Sequence, residues 1–116
     1  MMKPNRDFEA FKKEFSRRQE QFGLSGYQVY YKHEPDEGAF ASIHIDQGEM
    51  VSTTRLNSNI PDIHKPFKDP KGSAKHEALH LLVGRLEAIA FRRFTTEVEI
   101  YEATEELVHK LERLIP

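Results

Sequence analysis

Residues 76–80 of this chain read His-Glu-Ala-Leu-His, and these five positions could carry out chemistry. Helical side chains four residues apart lie on one face, about 6 Å apart along the axis, so both imidazoles can reach one metal ion. Neutral imidazole is a good zinc ligand. Glu77 lies between them, where it can take a proton from a water molecule whose pKa zinc has lowered to about 7. The pattern predicts a zinc-dependent hydrolase with His76 and His80 as ligands and Glu77 as general base.

The surroundings of this motif favour metal binding over a solvent-facing helix that carries two histidines by chance. Apolar side chains occupy much of the predicted helix, at Ala74, Ala78, Leu79, Leu81, Leu82, Val83, Leu86 and Ile89. A carboxylate and two imidazoles are expensive to bury in such a helix unless something pairs with them. One zinc ion per chain would pair with all three.

A catalytic zinc site usually has three protein ligands and one open position. Because the chain contains no cysteine, the third ligand must be a histidine or a carboxylate. The downstream candidates are Glu97, Glu99, Glu102, Glu105, Glu106 and His109. A metzincin is excluded, because Leu86 stands where that pattern has its third histidine.

The elements that must position these residues can be predicted from periodicity. Four phenylalanines at helical spacing predict an N-terminal helix, which Asp7 caps and Gly23 ends; they are Phe8, Phe11, Phe15 and Phe22. Alternating residues and short turns predict three strands, at 27–33, 39–46 and 49–56, in an antiparallel sheet. The fold class is therefore α+β.

Two further helices follow the predicted sheet. A loop over 57–72 leads to the motif helix, for which Ser73 is the predicted cap and which ends near residues 90–93. Thr96 and Glu99 fit a capping box that begins a C-terminal helix. Its predicted apolar stripe is Ile100, Ala103, Leu107, Leu111 and Leu114, flanked by Tyr101, Val108 and Ile115.

Length and composition indicate one domain spanning residues 1–116. Lys and Arg total 17 against 19 acidic residues, so no basic excess predicts a nucleic-acid partner. The N-terminal residues contain no apolar stretch for a signal peptide or membrane span, and we therefore expect a cytoplasmic protein without membrane contacts.

The segment Tyr101-Glu102-Ala103-Thr104-Glu105-Glu106 resembles the Asn-Glu-Ala-x-x-Asp pattern of the glutamate zincins, which include thermolysin. The resemblance implies that Glu102 is the third ligand and that Glu106 orients one histidine through its free ring N–H. Tyr101 and Glu106 depart from the pattern, and Glu105, Glu106 and His109 stay open as alternative ligands. The similarity covers roughly residues 73–115 and extends to small repressor-cleaving peptidases of mobile elements, which implies a minimal zincin-like fold and a phage-like origin.

The resulting hypothesis is a small zinc metallopeptidase that cleaves a peptide or protein substrate. The predicted strand 49–56 would border the cleft and align an extended substrate. The short chain leaves no second lobe for a deep pocket, so a partner protein could complete the cleft. The alternatives are a zincin-derived, non-catalytic binding module stabilised by zinc, and a metal-free helical interaction domain.

Overall fold

The computed structural model describes residues 5–91 and 96–116, which form helices around a small sheet. The α+β class predicted from sequence is confirmed. The elements in chain order are α1 (Arg6–Gln21), β1 (Gln28–Glu34), β2 (Ala41–Asp46), β3 (Val51–Asn57), a short 3₁₀ turn (Lys65–Phe67), α2 (Pro70–Ala90) and α3 (Glu97–Leu114).

The N-terminal helix supports the motif helix from behind. Its cap is Asn5 rather than the predicted Asp7, and the Asn5 side chain accepts a hydrogen bond from the Phe8 N–H at 2.9 Å. Phe11 and Phe15 are fully buried and belong to one core with Leu56 of β3. The α2 residues in this core are Ala74, Ala78 and Leu81. Helical spacing places them on the face of α2 opposite the two histidines.

The sheet is mixed, with the strand order β1-β3-β2. The prediction of an antiparallel sheet is right for β2 and β3, which pair from Ala41↔Leu56 to Asp46↔Val51. It is wrong for β1, which pairs parallel to β3 from Gln28↔Val51 to Glu34↔Asn57. β3 is therefore the central strand and β2 is an edge.

The loop between β1 and β2 explains this strand order. Residues 35–40 do not fold β2 back onto β1, but cross the end of β3, where the Asn57 side chain holds them. Its Nδ2 donates to the carbonyl oxygens of Asp36 at 2.9 Å and Ala39 at 2.8 Å, and its Oδ1 accepts from the Asp36 N–H at 3.1 Å. The space beside β1 is thus left for β3.

The motif helix begins before its predicted cap and lies against β2. Asp69, not Ser73, is the N-cap, because its Oδ1 accepts from the Gly72 N–H at 3.0 Å. Further along, Gly84 allows close contact with the edge strand. A Cβ at this position would lie 2.7 Å from Gln47 Nε2 and 3.1 Å from Ile45 Cδ1. The glycine thereby brings β2 next to the histidine-bearing part of α2.

The C-terminal helix begins as predicted, since Thr96 Oγ1 accepts from the Glu99 N–H at 3.1 Å. Its buried stripe differs from the predicted one and consists of Ile100, Thr104 and Val108. At 100° per residue, the centre of this stripe is rotated by about 60° from the predicted centre. The rotation changes which glutamates of α3 face α2.

Candidate metal centre

The two motif histidines lie together on α2, one turn apart. Their Nε2 atoms are 3.2 Å apart, and both side chains are half-buried. Burial lowers the pKa of His80; the neighbouring His76 acts in the same direction, while Glu105 acts against both. A lowered pKa keeps the imidazole neutral, which is the form that binds a metal ion.

Glu105 of α3 completes a group of three residues that could bind a metal ion. Its Oε1 lies 2.8 Å from His80 Nε2, and its Oε2 lies 3.8 Å from His76 Nε2. Tetrahedral zinc with bonds of about 2.0–2.1 Å places its ligand atoms about 3.3 Å apart. The two Nε2 atoms, 3.2 Å apart, are close to this separation. Of the two distances to Glu105, the one to His80 is shorter than this value and the one to His76 is longer. The three side chains are therefore close enough together to bind one metal ion.

The two glutamates chosen by resemblance lie elsewhere on α3. Glu102 and Glu106 are both exposed, and Glu106 pairs with Lys110 at 2.7 Å. Two groups of possible metal ligands occur among the described residues, and neither includes Glu102 or Glu106. The structure thus brings His76 and His80 together with Glu105, which the sequence had left as an alternative.

Glu112 is a site residue that the sequence analysis missed. Its Oε1 contacts Nδ1 of His76, the ring nitrogen that faces away from His80. Seven residues, or two helical turns, separate Glu112 from Glu105, so both lie on one face of α3. This spacing would have indicated Glu112 once Glu105 was identified.

His109 lies at the exposed edge of the cluster. Its Nε2 is 3.5 Å from Glu105 Oε2 and its Nδ1 is 3.8 Å from Glu112 Oε1, while 59% of the side chain is exposed. With His76 and Glu112 it forms the second group of possible ligands. Exposure leaves it less well fixed than His80.

Glu77 is a buried carboxyl group that lacks a complete set of partners. The residue is 5% exposed, and its Oε2 has no hydrogen-bond partner among the described residues. Burial, together with the negative charges of Glu105, Asp36 and Glu112, raises the pKa of Glu77 to about 8. In the metal-free protein a proton keeps this group neutral, whereas its ionised form would need a cation or a polar ligand nearby. A metal ion held by the two histidines, or a water molecule bound to that ion, would be such a partner.

Cavities of about 310 Å³ flank the histidines on both sides along β2. One is lined by Ala41, His76 and Glu77, and the other by Ile43, Ile45 and His80, among others. The predicted border strand 49–56 was the wrong choice, because it corresponds to β3, which is paired on both sides. β2 is the edge that borders the histidines.

None of the described helices is long and apolar enough to cross a membrane. A cavity of about 400 Å³ lies between α2 and α3 and is lined by neither motif histidine. It is lined mainly by apolar side chains, including Val83, Leu86 and Ile100. The side chains of the histidine motif therefore line the cavities along β2 and not this one.

Comparison with known proteins adds a similarity to a solved structure. No protein-family model matches the chain, and no curated protein matches it. The chain is similar to the crystal structure of the metallopeptidase zymogen of Methanocaldococcus jannaschii jannalysin, with 17% sequence identity and a TM-score of 0.43. The match covers 96% of this chain and 98% of that chain. Because similarity at this level carries no argument about activity, the function must be inferred from this chain's own residues.

Proposed function

We propose that this chain is a single-domain zinc metallopeptidase in which His76, His80 and Glu105 bind the metal and Glu77 is the general base. The observation that carries the proposal is the convergence of three ligand atoms beside a buried carboxyl group with an unpartnered oxygen. Glu105 takes the place that the sequence pattern assigned to Glu102. The activity belongs to the glutamate-zincin type, since the third ligand is a glutamate on the following helix.

The proposed reaction is hydrolysis of a peptide bond. A zinc ion would supply Lewis-acid polarisation of the scissile carbonyl and lower the pKa of a water molecule. Glu77 takes one proton from the attacking water, whose oxygen forms the new bond to the carbonyl carbon. Glu77 then gives that proton to the leaving amine nitrogen as the C–N bond breaks. Its buried position beside the histidines suits both transfers.

Glu112 supports His76 in this proposal. A His76 ring that donates its Nδ1–H to the Glu112 carboxylate keeps Nε2 free as a metal ligand. The same bond fixes the orientation of the ring. Glu112 therefore takes the orienting role that the resemblance assigned to Glu106.

The substrate is proposed to be an extended peptide segment paired with the edge strand β2. An edge strand has backbone N–H and C=O groups available for an added strand. The cavities on both sides of the histidines would receive side chains on either side of the scissile bond. A partner protein that completes the cleft, a cytoplasmic location, a phage-like origin and a single domain over 1–116 are further proposals from sequence.

Metal content and cleavage together test the proposed function. Protein purified without a metal-affinity tag should contain close to one zinc per chain by elemental analysis. Cleavage profiling with a peptide library should give products with wild type and none with Glu77→Gln, which keeps the side-chain shape but cannot take the proton. A protein that binds no zinc contradicts the metal centre.

The non-catalytic alternative gives a different pattern in the same experiment. A zinc-stabilised binding module would contain zinc but cleave nothing as wild type. Glu77→Gln would then bind zinc and partners as the wild type does. A buried general base beside the ligands favours the enzyme, because a purely structural site does not need it.

A further inference from the structure

Lys75, the residue before the first histidine, contacts the C-terminal end of α3. Its Nζ donates to the main-chain carbonyl oxygen of Glu112 at 2.5 Å and to that of Ile115. The next residue, His76, contacts the Glu112 carboxylate through Nδ1. Two consecutive residues of α2 therefore hold Glu112 by its backbone and by its side chain.

The packing of α3 explains why such an anchor matters. Its buried residues are Ile100, Thr104 and Val108, which form one narrow stripe along the helix. A helix held along a single stripe can rotate about it. A metal ligand must stay within about 0.5 Å and 10–20° of its working geometry. Hydrogen bonds at the end of the helix add to the resistance that this stripe provides against such a rotation.

Glu105 lies on the same face of α3 as Glu112, two turns earlier. Fixing the backbone at Glu112 therefore also fixes the direction in which Glu105 points. A second contact acts at the same end of the chain, where Arg18 Nη1 donates to the Pro116 carbonyl oxygen at 2.6 Å. Arg18 is itself 5% exposed and bonded to Glu14 at 2.9 Å.

We propose that Lys75 is a positioning residue for the metal centre, because it sets the rotation of α3 that brings Glu105 to the two histidines. The inference rests on the proposed function, in which Glu105 is a zinc ligand. Lys75 acts through Glu105 and not through its charge. A nearby ammonium group repels a zinc ion, so loss of the charge alone would tighten zinc binding. Loss of the two Lys75 hydrogen bonds to α3 weakens zinc binding. Loss of the charge and loss of these hydrogen bonds therefore change the zinc affinity in opposite directions.

The first test compares Lys75→Met with Lys71→Met in the full chain. Lys71 is an exposed lysine one turn earlier on α2, so it controls for the loss of a positive charge. Zinc affinity is measured by competition with a chromophoric chelator, at a temperature where circular dichroism shows fully folded protein. Lys75→Met should weaken zinc binding about 10- to 100-fold, as for other groups that position ligands. Lys71→Met should not weaken it.

The visible spectrum of the cobalt-substituted protein gives a second readout. Lys75→Met should lower the intensity of the cobalt bands or shift them, because Glu105 no longer holds its place in the coordination sphere. Unchanged or tighter zinc binding by Lys75→Met, with an unchanged cobalt spectrum, overturns the proposal. If Lys75→Met does not fold, Lys75→Gln, which is too short to reach both carbonyl oxygens, carries the same expectations.

A double-mutant cycle separates positioning from a general structural role. In a Glu105→Ala background, Lys75→Met should cause a clearly smaller loss of zinc affinity, because the ligand through which Lys75 mainly acts is absent and only the Glu112–His76 contact is left to disturb. An equal loss in both backgrounds overturns the inference and leaves the metal centre intact. Unchanged zinc affinity in Glu105→Ala alone removes Glu105 as a ligand, and the inference fails together with that part of the proposed function.

Discussion

Oε1 of Glu105 and Nε2 of His80 lie 2.8 Å apart, although they belong to different helices and the sequence pattern pairs the histidines with Glu102. This contact determines which carboxylate of α3 can share a metal ion with the histidine pair. Glu102 is exposed on the same helix and is absent from both groups of possible ligands.

Glu105→Ala should lose most of its zinc, whereas the matched variant Glu102→Ala should retain it. Among the glutamates that the structure describes, only Glu105 has carboxylate oxygens within 4 Å of Nε2 of both His76 and His80. Zinc per chain after dialysis, measured by elemental analysis, checks this. The opposite result, with zinc lost only from Glu102→Ala, would restore the assignment made by resemblance.

Glu112→Gln should weaken zinc binding about 10- to 100-fold, because an amide accepts the His76 Nδ1–H less strongly than a carboxylate does. Glu106→Gln is the control, since Glu106 is exposed and pairs with Lys110 on its own helix. Zinc dissociation constants from chelator competition give the comparison. If the two variants bind zinc equally well, Glu112 has no orienting role.

The metal-free protein should become less stable relative to its Glu77→Gln variant as the pH rises from about 5 to 8. Burial, followed by the charges of Glu105, Asp36 and Glu112, raises the pKa of Glu77 from its ordinary 4.5 to about 8 in the folded state. The raised pKa means that the folded protein keeps this proton while the unfolded chain loses it, so stability falls across that interval. The full loss should be a few kcal/mol.

Urea unfolding of both proteins, with a chelator present throughout, measures this difference at each pH. Because Glu77→Gln retains the other titrating groups, subtracting its curve leaves the contribution of Glu77. A difference that does not change between pH 5 and 8 would show that the carboxyl group is not held in its protonated form.

Zinc should raise the melting temperature of the metal-free wild type, because the ion binds the folded site more tightly than the unfolded chain. His80→Ala should show little response, since it removes a ligand from α2. Thermal unfolding at increasing zinc concentrations, followed by circular dichroism, checks this. A response of His80→Ala as large as that of wild type would place the metal elsewhere.

Local features of this protein could be predicted from its sequence. The spacing of His76 and His80 places them on one helical face in any context, because the α-helix repeats every 3.6 residues. The Thr96 cap follows from contacts within one turn, and the α+β class follows from local periodicity. Each of these depends on residues close together in the chain.

The order of the strands and the rotation of α3 depend on contacts between distant residues. Parallel pairing of β1 with β3 accompanies hydrogen bonds from the Asn57 side chain to the loop across the strand end, and no local pattern reveals these contacts. Apolar residues on α3 form two overlapping stripes, and hydrophobicity alone does not decide which one faces α2. In the observed rotation Thr104 and Val108 are buried, Leu107 is partly exposed and Glu105 lies beside the histidines. The sequence by itself therefore determined the pairing of the two histidines on one helical face and predicted Glu77 as the general base. Only the tertiary structure decided which glutamate meets the histidines, because that choice depends on the rotation of one helix against another.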